Sequence, residues 1–337
     1  MEKLDNNDLI LERIRSDFEK GVDPTELMSE LERVFKIPKF YVSDFCEAHP
    51  MVIKLYTEIN DSRKIWRYMD LMKFISLLNG QLFFARADLF KDPFEGAVPK
   101  KVLDSYVQWM SYPKDIYGSE EADTDVEIRK EYVKKFEKNN KKVAINCWQM
   151  NKRESTVMWE SYIKSGLGVV VVSSVGKVTN IKIPEAYQFK HFPVEYIDYD
   201  EEYDQKYIRY ELIPFMNKRK QFDSEKEYRF MLYKDKSAES LNGIFNQMVN
   251  QFGENLKQNN YRTTNIINQM FVSKVQDLTE SGVNVQVNPS EIIEGIIAHP
   301  NMKDYEIAGL QKLLDKYNCE FGSSLTIGKS SLAENPY

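Results

Sequence analysis

Residues Ile65–Ala87 read IWRYMDLMKFISLLNGQLFFARA, and this stretch decides the class of fold. IWRYM has the β-branched and aromatic content of a short strand. LMKFISLLNG carries its apolar residues at helical spacing and stops at Gly80, and QLFFARA returns as a second strand. Strand, helix and strand in so few residues define an α+β unit. Downstream, DLFKDPFEG supplies Asp92-Pro93 and Gly96, a turn that carries two Phe residues inward.

The same alternation continues. VAINCWQM reads as a strand, ESTVMWESYIKSG as a helix or helical turn closed by Gly166, and LGVVVVSS as an almost wholly apolar strand that belongs at the centre of a sheet. FPVEYID, a helix-like stretch around Asp204 to Lys220, and the alternating strand EKEYRFMLY follow. Residues 239 to 271 have a helical pattern, IIEGIIAHP is a further apolar strand, DYEIAGLQKLLDKYN an amphipathic helix and CEFGSSLTI a last strand. Residues 115 to 141, rich in Glu and Lys, predict an exposed loop leading into a solvated helix. On the other side, residues 8 to 35 predict two short helices broken between Gly21 and Pro24. The domain expectation is therefore a helical accessory region over residues 1–60 and an α+β main domain over 61–337.

With 337 residues, 42% of them hydrophobic, the chain has apolar material for one large core or two smaller ones. No run approaches the roughly 20 apolar residues of a membrane-spanning helix, and the first 20 residues lack a signal-peptide apolar core; the expectation is a cytoplasmic protein without a membrane partner. Cys46, Cys147 and Cys319 are far apart, odd in number and set among apolar neighbours, which predicts reduced, buried thiols. The three histidines lack metal-ligand spacing, so no metal is expected. A net charge of −6 opposes gripping a phosphate backbone except through a local basic patch.

Three segments hold residues suited to chemistry. On a strand, Glu225 and Glu227 would share a face, roughly 6.5–7 Å apart, with Arg229 two residues further as a balancing cation. Such a pair could stabilise developing positive charge at an anomeric carbon; an edge strand bearing a solvated Glu, Glu, Arg ladder is the alternative. Arg67, between Trp66 and Tyr68 in an apolar strand, needs an acceptor, either a ligand phosphate or carboxylate or an internal glutamate. Trp159 and Tyr162, three apart on a helix, could stack on a planar ring while Ser155 or Ser161 bonds a ribose or amide; that face could equally be core.

In this order, WRYM, NGQLFFARADLFKDPFEG, MWESYIKSGLGVVV, SEKEYRFMLY and IIEGIIAHP resemble an uncharacterised bacterial family, the domain of unknown function twenty-nine seventy-one, over about residues 63 to 330. A looser resemblance is to the ADP-ribosyltransferase superfamily. Arg67 looks like its first-strand Arg, the Ser155 to Tyr162 region like its second element, and Glu225-Lys226-Glu227 like its Glu-x-Glu pair. That resemblance implies a mixed, split, curved sheet with flanking helices and an N-terminal helical appendage, holding NAD as substrate. Arg67, Tyr68, Trp159, Ser161, Tyr162 and Arg229 would then bind NAD. Glu227 would engage the ribose and stabilise an oxocarbenium-like transition state, and Glu225 would activate or orient the acceptor. The implied activity is that of an ADP-ribosyltransferase or NAD glycohydrolase acting on a macromolecular acceptor, protein or nucleic acid, as a toxin or anti-phage effector. The rival expectation is a non-enzymatic binding module of a bacterial defence or stress system, with the N-terminal helices facing a protein partner.

Overall fold

A computed structural model of the chain describes residues 6–35, 50–111, 125–202, 212–235, 275–276, 278 and 280–333. Along them run α1 (Asn6–Glu19), α2 (Pro24–Phe35), α3 (Pro50–Asp61), β1 (Lys64–Asp70), α4 (Leu71–Leu78), β2 (Gln81–Arg86), α5 (Lys100–Ser111) and α6 (Asp125–Asn139). Next come β3 (Val143–Gln149), α7 (Thr156–Tyr162), β4 (Gly168–Ser174), α8 (Val175–Thr179), β5 (Gln188–Pro193), β6 (Glu195–Ile197), β7 (Asn217–Arg219) and β8 (Glu227–Asp235). The chain ends with β9 (Val275–Gln276), β10 (Gly282–Gln286), α9 (Pro289–Ile292), β11 (Gly295–Ala298), α10 (Asp304–Phe321) and β12 (Ile327–Gly328). The architecture is mixed α+β, a mixed multi-stranded sheet with flanking helices. It divides into two compact units, whose boundary falls within β2 and just inside the end of β3.

The first unit comprises Met1–Leu82, Trp148–Lys182 and Gln286–Tyr337. Its sheet centres on β4, antiparallel to β1 from Lys64↔Ser174 to Asp70↔Gly168 and antiparallel to β11 on the other side. β12 extends β11 in parallel. Val169, Val170 and Val171 are all fully buried, so β4 is covered on both faces, as its unbroken apolar run requires. Helix α4 starts where the Asp70 carboxylate accepts the Lys73 N–H at 2.9 Å and ends at Gly80, whose φ of +76° favours glycine. Helices α1, α2 and α3 build a small core from Ile14, Leu27, Met28, Leu31, Leu55 and Ile59, within this same unit.

The second unit comprises Phe83–Cys147 and Ile183–Val285. Strand β3 pairs antiparallel with β2 and neighbours β8, and β8 pairs antiparallel with β5 from Gln188↔Tyr233 to Pro193↔Tyr228. A separate parallel pair, β6 and β7, sets Tyr196 beside Lys218. Ala87, Val143, Ile145, Phe192, Phe215 and Met231 form the core under this sheet.

Several sequence expectations change. Of the predicted last strand CEFGSSLTI, Cys319–Phe321 continue α10, Gly322 ends that helix in the left-handed region, and only Ile327–Gly328 pair as β12. Phe94, expected to point inward from its turn, is 38% exposed. The strand predicted to include Glu225 begins only at Glu227: residues Lys220–Glu225 form a 3-10 helix that Lys226 ends in the left-handed region, at φ +43°. Of the helix-like stretch around Asp204 to Lys220, residues 203–211 lie outside the described residues. The remainder is a short 3-10 helix with Pro214 in its first turn, then β7 and the first residue of the Lys220–Glu225 helix. Residues 239–271 also lie outside the described residues, as do 115–124, whereas Asp125–Asn139 is helical as the pattern predicts.

Gly168 stands opposite Asp70, and a Cβ there would sit 2.6 Å from the Met69 carbonyl oxygen and 2.9 Å from Ile163. Gly168→Ala must therefore push two strands apart. The expected loss is about 1–3 kcal/mol of stability in urea denaturation.

Candidate functional site

In the first unit, neighbouring strand residues face opposite ways. The Tyr68 ring packs edge-on to Trp159 at 4.8 Å, while the Arg67 guanidinium lies 5.9 Å from the Trp148 ring centre. Arg67 and Trp159 are thus not brought to one face. Trp159 is 2% exposed, held between Tyr68 and His299, and its indole N–H donates to Glu154 at 3.2 Å. The Tyr68 hydroxyl accepts the Ser155 N–H at 2.9 Å, and burial pushes its pKa up to about 12. Ser161 and Tyr162, by contrast, lie on the exposed end of α7, Tyr162 at 41%. Helix α7 spans both aromatics, but Trp159 enters the core and Tyr162 stays at the surface, so they do not form one stacking face.

The second unit gathers the other three candidates. Arg229 is completely buried on β8, and each of its five N–H donors has an acceptor. Two nitrogens grip the Glu95 carboxylate, the Nε and one terminal nitrogen reach Glu227 Oε2 at 3.2 and 2.9 Å, and another bond goes to the Phe215 carbonyl at 2.7 Å. Glu95 is delivered by the Asp92–Gly96 turn, in which Asp92 Oδ1 accepts the Phe94 N–H and both oxygens of the Asp92 carboxylate meet the Arg219 guanidinium. Gly96 has φ +69°, and a Cβ there would lie 2.3 Å from Asn140 Oδ1.

Lys218 on β7 links this buried centre to its edge. Its ammonium lies 2.5 Å from Glu225 and 3.5 Å from Glu227. Side-chain exposure rises outward from 0% at Arg229 and 4% at Glu95 and Glu227 to 11% at Lys218 and 14% at Glu225. Against the desolvation that would raise it, Arg229 and Lys218 hold the Glu227 carboxyl below the usual range. At Glu225, desolvation outweighs the pull of Lys218 and raises it. Desolvation likewise raises Glu95 against Arg229, and together with the Glu227 charge it keeps Cys147 a thiol. Among the described residues, this cluster holds three carboxylates and two cations.

Glu95, Lys218, Asp92 and Arg219 are the participants that sequence reasoning missed. The Asp92-Pro93-Phe94-Glu95-Gly96 turn was the available signal, because a carboxylate carried inward between two such constrained residues needs a cation. With this geometry in hand, the chain was compared with known proteins: no family model, no curated protein and no solved structure matches it.

Two outcomes follow from the electrostatics. Arg229→Met leaves Glu95 and Glu227 buried without their cation and is expected to cost about 3–5 kcal/mol, measured by urea denaturation. Glu225, whose folded pKa is raised, contributes stability that is complete below its unfolded pKa and is lost as pH rises through the folded one; Glu227, with a depressed pKa, contributes stability that is present above its unfolded pKa and is lost as pH falls through the folded one. Glu225→Gln should accordingly melt higher than the parent at pH 8 and lose that advantage at pH 4. Glu227→Gln should lose stability at pH 8 and lose less on acidification. Thermal melts at the two pH values check both.

Proposed function

We propose that the second unit carries glycosidic-bond chemistry on NAD, as an ADP-ribosyltransferase or NAD glycohydrolase with a macromolecular or water acceptor. One observation carries this reading: Glu225 and Glu227 converge on the same lysine, yet their surroundings drive their proton affinities apart. Neighbouring carboxyls separated in this way divide into a fixed charge and a proton exchanger. Here Glu227 is the fixed charge, and Glu225, at the open edge, is the group that takes a proton.

In the reaction, the bond from ribose C1′ to the pyridinium nitrogen breaks, its electron pair goes to that nitrogen, and neutral nicotinamide leaves. The acceptor oxygen or nitrogen bonds C1′ and its proton passes to Glu225. The excess negative charge of the cluster favours the oxocarbenium-like transition state over the ground state. Glu225 keeps the acceptor-activating role that the superfamily resemblance implies, and Glu227, with both cations against it and little exposure, supplies fixed negative charge instead of touching the ribose. The toxin or anti-phage role rests on the family resemblance.

A second reading, the non-enzymatic binding module, draws on the packing of Tyr68, Trp159 and His299 as core and on the complete donor satisfaction of Arg229. Calorimetric titration of NAD into the full chain, together with nicotinamide release, separates the two. Release that Glu225→Gln lowers by about 10²–10⁴-fold, with the thermal melt intact, is the expected result. Neither binding nor release at millimolar NAD would leave the binding module standing.

A further inference from the structure

The first unit holds a cavity of about 470 Å³, within the size range of small-molecule sites. Its wall comes from three stretches of chain: α8 with the turn after it, the link from the end of β10 into α9, and the last residue of α10, Phe321. Two of these are held by one turn, Asn79-Gly80, between α4 and β2. The Val287 N–H donates to the Gly80 carbonyl at 2.8 Å, an approach so close that a Cβ on Gly80 would lie 2.9 Å from the Val287 oxygen. The Tyr317 hydroxyl donates to Asn79 Oδ1 at 3.0 Å, and its ring stacks on Phe321, four residues on, with centres 6.5 Å apart and planes 6° from parallel. Phe321 is thereby oriented by groups outside the cavity.

The lining also retains positive charge through a particular arrangement. Lys177 and Lys182 both belong to it, and neither has a carboxylate partner among the described residues. The Lys177 ammonium donates to the backbone carbonyl of Glu291 at 3.2 Å, whereas the Glu291 carboxylate accepts from the Asn288 side chain, also at 3.2 Å. Lys177 is half-buried, so its ammonium is tethered at the wall with two of its three N–H donors still open. Two cations and one carboxylate leave the lining one positive charge in surplus, in a chain whose net charge is −6.

A ring and an apolar wall beside one surplus positive charge complement a monoanion with an apolar body. A phosphomonoester brings about 1.5–2 negative charges, more than the surplus meets, and the balance therefore favours a carboxylate.

We propose that this cavity binds a small aromatic carboxylate, with its charge on Lys177 and Lys182 and its ring against Phe321. The site lies wholly in the first unit, and its occupation neither requires nor excludes the NAD chemistry proposed for the second.

The test uses the full chain and ligand-observed saturation-transfer NMR with four probes. Phenylacetate carries ring and charge, phenylacetamide the ring alone, acetate the charge alone, and phenyl phosphate the ring with a larger charge. Phenylacetate should bind with millimolar Kd, and phenylacetamide and acetate at least tenfold more weakly. Lys177→Gln should lower phenylacetate affinity at least tenfold and Phe321→Leu several-fold, with thermal melts reporting whether each variant is folded. Lys182→Gln, a change at an exposed position, should lower it several-fold and serves where Lys177→Gln does not fold. Glu291→Gln, which removes the lining's carboxylate, should raise it, a gain that loss of packing would not produce. Equal binding of phenylacetate and phenylacetamide, no binding of phenylacetate at millimolar concentration, or binding that neither Lys182→Gln nor Glu291→Gln alters overturns the proposal. Tighter binding of phenyl phosphate than of phenylacetate overturns the choice of a carboxylate.

Discussion

Burial of the Arg229 guanidinium is the constraint on which the second unit is built. A fully enclosed cation is tolerated only when its donors are met and its charge is opposed, and the acceptors come from three places in the chain: Glu95, the Phe215 carbonyl and Glu227. The Asp92–Gly96 turn, the 3-10 helix before β7 and the start of β8 must therefore arrive together. Hydrophobic burial tolerates sliding, whereas a five-donor fork does not. Gly96 is part of the same constraint, since a side chain there would collide with Asn140 and Phe215, and the turn could not bring Glu95 inward.

The first unit solves its problem differently. β4 is buried on both faces by valines, and the polar groups near α7 are spent on joining loops to this core. Glu154 accepts the Trp159 indole N–H, the Ser330 and Ser331 hydroxyls and the Ser331 N–H, so one carboxylate ties the start of α7 to the segment after β12. Tyr68 closes the other side through the Ser155 N–H. Residues that resemble ligand-binding groups by type are here fastenings between chain segments.

This division explains what could be read in advance. The order β1, α4, β2 and the central position of β4 were legible because each depends on local periodicity and a nearby stop signal, Gly80 or Gly166. The relation of Glu225 to Glu227 was not, because it depends on Lys226 taking a left-handed conformation that a lysine's identity does nothing to announce. Nor was the pairing of Glu95 with Arg229, which joins residues far apart in the chain. Trp159 and Tyr162, three apart in one helix, differ in burial because Tyr68 and His299 pack against Trp159 whereas Tyr162 is the helix's last residue and 41% exposed. Local pattern locates elements; the partners of a buried charge are settled only when distant segments pack.

A brace and a site can use the same residue types, and charge balance distinguishes them. Arg229 is fully satisfied by Glu95, Glu227 and the Phe215 carbonyl, and Lys218 is shared, 2.5 Å from Glu225 and 3.5 Å from Glu227. The three carboxylates outnumber the two cations by one, and the most exposed of them, Glu225, is still shielded enough for desolvation to raise its proton affinity. A residue kept only for stability would do better as glutamine at neutral pH, since glutamine has nearly the same shape and carries no charge to desolvate. The surplus charge gains a physical purpose when a positive group, a proton or a ligand, completes it. On the proposed reading, the enclosed network is the fixed electrostatic floor, and Glu225, the most exposed of the cluster's three carboxylates, is the group that exchanges a proton at its edge.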